Sequence, residues 1–164
     1  MTRRRYGKHR GRVVENIDPL ARGRLLVSVP SVFGSGTNNW AEPCVPYAGP
    51  GVGMLLLPPK DAHVWVEFVE GNTQEPVWTG CYWAPGEGES LLPIPSNFTI
   101  RTPSFAITSI AAPGAEGQAI VTIEHAAGHT ITMDPVGVTV SNGTAEIKLA
   151  GPRVTVNRDG LEAT

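Results

Sequence analysis

Charge is scarce in this chain: only 17% of its 164 residues are Asp, Glu, Lys or Arg, and the formal balance is −2. A chain so near neutrality is not, as a whole, a binder of polyanions. No apolar stretch approaches the roughly 18 residues of a membrane-spanning helix, and the basic first dozen residues lead into no signal-peptide core, so synthesis and folding in a cytoplasm are expected. Long runs with apolar residues at i, i+3 and i+4 are missing, which leaves helix a minor component. Cys44 and Cys81 are the only cysteines; they are too far apart for a CxxC motif and too few for a zinc site without other ligands. Free, buried thiols are expected, with one disulfide as the alternative. G-x-S-x-G is lacking, since Ser35 sits in "FGSGT", as are a Walker lysine motif and H-E-x-x-H. No enzyme activity, cofactor or metal site is therefore expected.

Turn formers are plentiful. With 19 Gly and 15 Pro the chain reads as nearly all-β, its short strands interrupted by frequent turns. Residues 1–12 hold Arg3, Arg4, Arg5, Lys8, Arg10 and Arg12 and read as a basic N-terminal arm. From Gly11 to about Trp83 run candidate strands of ordinary length, "GRVVENI", "GRLLVSVP", "WAEPCVPY", "GMLLLPP", "HVWVEFVEG" and "EPVWTGCYW", and residues 13–83 read as one domain. In "HVWVEF" Val64, Val66 and Phe68 share one face, and His63, Trp65 and Glu67 share the other. Such half-buried strands suit a small Greek-key barrel of the OB type. Residues 84–118 are rich in Gly, Pro and Ser and read as a linker and loop around one or two connecting strands, "FTIRT" and "FAITSI".

From residue 119 to 164 the texture changes to a quasi-repeat. "ITM", "VTV", "IKL", "VTV" and "LEA" start at 131, 138, 147, 154 and 161, punctuated by Asp134 and Pro135, Gly137, Asn142 and Gly143, Gly151 and Pro152, and Asp159 and Gly160. The outer side chains of each triplet face one way while a residue such as Thr139 faces water. One chain then offers a narrow apolar ribbon with nothing opposite, which three copies winding about a common axis would bury. The expected trimer core is Ile131, Met133, Val138, Val140, Ile147, Leu149, Val154, Val156, Leu161 and Ala163. A single-chain β-sandwich is the alternative, disfavoured by the shortness of the strands.

"YGKHRGRVVENIDPLARGRLLVSVP", "WAEPCVPYAGPGVG", "PPKDAHVWVEF" and "PVWTGCYW" resemble the N-terminal OB domain of the phage baseplate assembly protein V family, to which the VgrG spikes of type VI secretion are similar. "GHTITMD" to "NRDGLEA" resembles the intertwined triple-stranded β-helix that follows it there. Lys60 and Asp61 stand in a turn where that family often has Gly, and Asn72 and Thr73 where it often has Asp-Pro. The resemblance implies an all-β homotrimer, an OB barrel followed by a β-helix made by three chains. It implies a structural central spike of a contractile tail or tail-like injection particle, made in the bacterial cytoplasm and held by a baseplate hub protein. Sheath contraction would drive the spike through a target envelope, touched only transiently. A PAAR-type tip protein is the expected partner at Leu161, Glu162, Ala163 and Thr164, and Arg3, Arg4, Arg5, Tyr6, Lys8 and Arg10 are candidate hub contacts.

Two other readings weigh less. His125 and His129 in "EHAAGHT" invite a metal, yet Gly128 between them suggests a turn that need not aim both imidazoles at one point. Single-stranded nucleic-acid binding is the alternative function, since OB barrels often bind single strands through aromatics and a basic groove. Trp40, Trp65, Trp78, Tyr82 and Trp83 would supply stacking. Between Val13 and Trp83, however, Arg22, Arg24 and Lys60 face seven acidic residues, so no nucleic-acid partner is expected.

Overall fold

A computed structural model describes residues 4–91 and 94–157 and the backbone of 161–163. The chain divides into two compact units, Met1–Glu87 and Gly88–Thr164. The first carries β1 (His9–Glu15), β2 (Leu25–Ser28), β3 (Asn38–Pro43), a small hairpin of β4 (Ala48–Gly49) and β5 (Val52–Gly53), then β6 (His63–Phe68) and β7 (Pro76–Tyr82). Five of these close a barrel in the order β1-β2-β3-β7-β6, antiparallel throughout except where β3 runs parallel to β7. This is the OB-like barrel that the strand pattern predicts.

Alternation builds its core. Val64, Val66 and Phe68 point inward from β6 and meet Val13, Leu25, Val27, Val29, Ala41 and Trp78. The one polar atom that Trp78 carries inward is satisfied, its Nε1 donating to the carbonyl of Gly23 at 3.2 Å. Beyond β2, Pro30 starts a single helical turn, Pro30–Phe33, with the φ that a helix needs already fixed. Phe33 reaches back edge-on to Phe68, 5.8 Å between ring centres.

Three expectations change here. The strand β1 begins at His9, so His9 to Arg12 lie in the barrel rather than in the arm. In β1 the side chains of Arg10 and Arg12 are on the outer face, while Gly11 lies where a Cβ would be 3.0 Å from Val66 Cγ2. "GMLLLPP" is no strand past Gly53: Met54 to Leu57 run as an exposed loop, because the two prolines that follow can give no ladder donors. Cys44 and Cys81 are free, as expected, but exposed rather than buried. The β6–β7 register shifts between the Val66–Trp78 and Val64–Cys81 pairs, so the inward alternation of Pro76 and Trp78 does not carry through to Cys81 near the end of β7.

The second unit is one antiparallel meander. Its strands are β8 (Phe98–Arg101), β9 (Phe105–Ile110), β10 (Ile120–His125), β11 (Thr130–Asp134), β12 (Gly137–Ser141), β13 (Glu146–Ala150), β14 (Arg153–Val156) and β15 (Leu161–Ala163), each paired with its sequence neighbours. Most triplets extend to four to six residues, and β8 and β9, placed by the sequence in a linker, belong to the same sheet. Pairing follows sequence order within the chain, where the resemblance implies strands intertwined among three chains. The reason is the tightness of the turns. Asp134 accepts hydrogen bonds from the amides of Val136 and Gly137 at 2.8 and 2.9 Å, and Asn142 Oδ1 accepts from those of Thr144 and Ala145 at 3.0 and 2.7 Å. Gly137 and Val136 together hold the Asp134 carboxyl below its usual range. Asp159 and Gly160 lie outside the described residues.

Candidate functional site

The meander's register sorts its side chains into rows. One row runs Ile100, Ile107, Ile123, Ile131, Val140, Ile147 and Val156, with the backbone register continuing to Leu161. A second runs Phe98, Ser109, Val121, Met133, Val138, Leu149 and Val154, and continues to Ala163 in the same way. Between them, on the opposite face, lies Thr99, Thr108, Thr122, Thr132, Thr139, Lys148 and Thr155. Directly opposed residues of antiparallel strands share a face, so the two apolar rows form one stripe across the whole sheet.

No strand of the second unit lies over that stripe among the described residues. Ile131, Met133, Val140, Ile147 and Leu149 are 39 to 46% exposed, while Ile100, Ile107, Val121, Val138, Val154 and Val156 are half-buried, as are the threonines of the opposite row. Thr139, expected to face water, sits within that row. A sheet with one apolar face must bury it against something. Full burial of such a side chain contributes about 1.5 to 3 kcal/mol, so leaving each one nearly half exposed forgoes on the order of 1 kcal/mol that a covering partner would supply.

The sequence-derived core residues Ile131, Met133, Val138, Val140, Ile147, Leu149, Val154 and Val156 all fall on the stripe. The sequence reading missed Phe98, Ile100, Ile107, Val121 and Ile123, whose alternation in "FTIR", "FAITSI" and "IVTIEH" is the same signal at longer spacing. Thr164 and the side chains of Leu161, Glu162 and Ala163 lie outside the described residues.

The N-terminal cations lie along their own barrel. Arg4 Nη1 donates to Tyr6 Oη at 3.3 Å and to the Glu70 carbonyl at 3.2 Å, and the Arg5 amide donates to the Gly71 carbonyl at 2.9 Å. Lys8 Nζ reaches Thr79 Oγ1 at 3.2 Å and Glu67 at 3.4 Å. Arg10 lies over the rings of Trp65 and Tyr82, 5.9 and 5.5 Å from their centroids. Arg3 is outside the described residues.

A second polar cluster orders the loop between β1 and β2. The Asp18 carboxylate, 3% exposed, receives the Arg24 guanidinium at 2.7 Å and the amides of Leu20, Arg22 and Arg24. Arg24, first, and then those amides hold the Asp18 carboxyl far below its usual range, against the opposing effect of burial.

His125 and His129 meet across the β10–β11 turn, ring centres 5.7 Å apart, with Gly128 at φ 85° as the turn residue. The amide of Ala127 donates to His125 Nδ1 at 3.1 Å. A neutral His125 ring that accepts there carries its proton on Nε2. No group of three or more His, Cys, Asp or Glu side chains among the described residues is arranged to hold a metal ion.

Comparison with protein families places both units. Residues 9–83 match the type VI secretion system and phage-baseplate injector OB domain. Residues 97–162 match the phage baseplate V C-terminal trimerisation domain, which takes in β8 and β9 as well as the triplets. Comparison with curated proteins finds no match.

Proposed function

Because the chain belongs to the baseplate V family of phage-tail and type VI injector proteins, we propose that it serves as the homotrimeric central spike of a contractile tail or tail-like injection particle. Both matched domains are structural, and the C-terminal one, a trimerisation domain, supports a homotrimer. Assembly into a tail particle follows from the family, and no helix among the described residues is long and apolar enough to cross a membrane. The apolar stripe carries this reading: three copies that set their stripes against one another about a common axis cover the face that one copy leaves bare.

The finer roles are proposed with it. A baseplate hub holds the barrel, with Arg4, Arg5, Tyr6, Lys8 and Arg10 as contacts, and a small PAAR-type tip protein meets the end of the sheet at β15. The spike pierces a target envelope when a sheath contracts, and performs no catalysis. Chains that share one core suit that task, because unfolding one copy requires three stripes to separate together. Light scattering on the size-exclusion peak tests the premise. A mass about three times 17.4 kDa is expected, and a monomer would remove the physical basis of the spike.

A further inference from the structure

The barrel carries an apolar surface that its own fold does not use. Met54, Leu55, Leu56 and Leu57 are 41 to 53% exposed, and Ile17 and Leu20 in the β1–β2 loop are 74 and 60% exposed. The two segments are joined rather than loose. Asn16 Nδ2 donates to the Pro58 carbonyl at 3.0 Å, Pro58 itself is buried, and Leu55 Cδ1 lies 3.3 Å from where a Cβ on Gly23 would stand. The Met54 amide donates to the Tyr47 carbonyl at 2.9 Å, fixing the start of the leucine run. Monomeric proteins rarely leave such contiguous apolar surface bare.

Charge narrows the choice of partner. From Pro43 to Pro59 the chain has no charged side chain, and the charges bordering the segment are matched at home: Arg24 with Asp18 at 2.7 Å, Arg22 with Glu42 at 2.9 Å and Lys60 with Glu15 at 2.6 Å. Side chains that converge on a three-fold axis face their own copies, so a loop placed at the axis is best left uncharged. The connection between Tyr82 and Phe98 is about 15 residues, a fully extended reach of roughly 50 Å. A trimerised second unit therefore confines three barrels to an effective concentration on the order of millimolar.

We infer that the Met54–Leu57 loop is a second self-association surface, covered in the trimer by the same loop of the other two copies. The inference rests on the homotrimer above but not on the hub, tip or piercing roles. The test is made on the full chain with Cys44→Ser and Cys81→Ser, which clear the exposed thiols, and Leu56→Cys labelled with pyrene maleimide. Leu56 is about half exposed, so the change removes no core side chain.

Excimer emission from a species of trimeric mass is expected, and it falls back to monomer emission when labelled chains are refolded with a large excess of unlabelled ones. Monomer emission from an intact trimer would overturn the inference and leave the loop open to a different protein. A monomeric mass would remove the inference together with the homotrimer it needs. As an independent readout, Leu56→Asp should lower the melting temperature of the barrel while the trimeric mass stays unchanged; an unchanged melting temperature would count against the contact.

Discussion

Gly137 and Leu149 lie so close across the β12–β13 pair that a side-chain carbon on the glycine would collide with the Leu149 carbonyl oxygen and stand 2.9 Å from its carbonyl carbon. Backbone cannot step aside as a flexible side chain can. Gly137→Ala should therefore destabilise the second unit by about 1 to 3 kcal/mol through overpacking. Thermal unfolding of the trimer measures it, and Gly143→Ala, near no atom closer than 3.9 Å, separates crowding from the strain of a positive φ.

The stripe predicts an asymmetry between neighbours in one strand. Val140→Asp places a carboxylate on the apolar face, and in three copies at once, so the mass should fall from three times 17.4 kDa to that of one chain. Thr139→Val, on the opposite face, should leave the trimer intact. Scattering on both variants decides it.

The barrel should answer to its own core. Leu25 is fully buried among valines from β1, β2 and β6, and Leu25→Ala should cost about 2 to 5 kcal/mol in denaturant unfolding. Because the stripe is elsewhere, trimeric mass should persist below the transition.

Acid should loosen the β1–β2 loop. The Asp18 carboxyl titrates below its ordinary value of 3.8 in the folded chain, chiefly because of Arg24. Its contribution to stability is therefore complete above that ordinary value and is lost as pH falls from there through the folded pKa. Melting temperature against pH should decline below about pH 4, and Asp18→Asn should be less stable at neutral pH with a flatter acid limb.

Much of this was legible in the residues. Val64, Val66 and Phe68 announce β6 because their alternation is uninterrupted, and Thr139 between Val138 and Val140 announces the stripe in the same way. The missed parts share a cause, which is that alternation states which side chains agree but not what covers them. Met54 to Leu57 read as a strand because the run is apolar, yet two prolines end the ladder and leave it an exposed loop. The start of β1 was hidden by Arg10 and Arg12, whose charge suggested an arm although outer-face positions accept charge freely. Phe98 to Ile110 reads as connecting strands among Gly and Pro, and only the pairing of Ile100 with Ile107 and of Ile107 with Ile123 reveals it as part of the stripe. Asp61, at φ 70° in a turn where a glycine was expected from the resemblance, is a left-handed residue of a type that tolerates the region.

The meander also has a consequence for how the molecule is made. Each strand pairs with its sequence neighbours across short turns, so contact order in the second unit is low and its hairpins can close before copies meet. A slip of one residue in any of them would turn the threonine row to where the isoleucines belong. Asp134 and Asn142, by capping their turns with their own carboxylate and amide oxygens, set that register chain by chain. What copies recognise in one another is thus decided before they collide, and the slow, concentration-dependent step is left with the matching of finished surfaces.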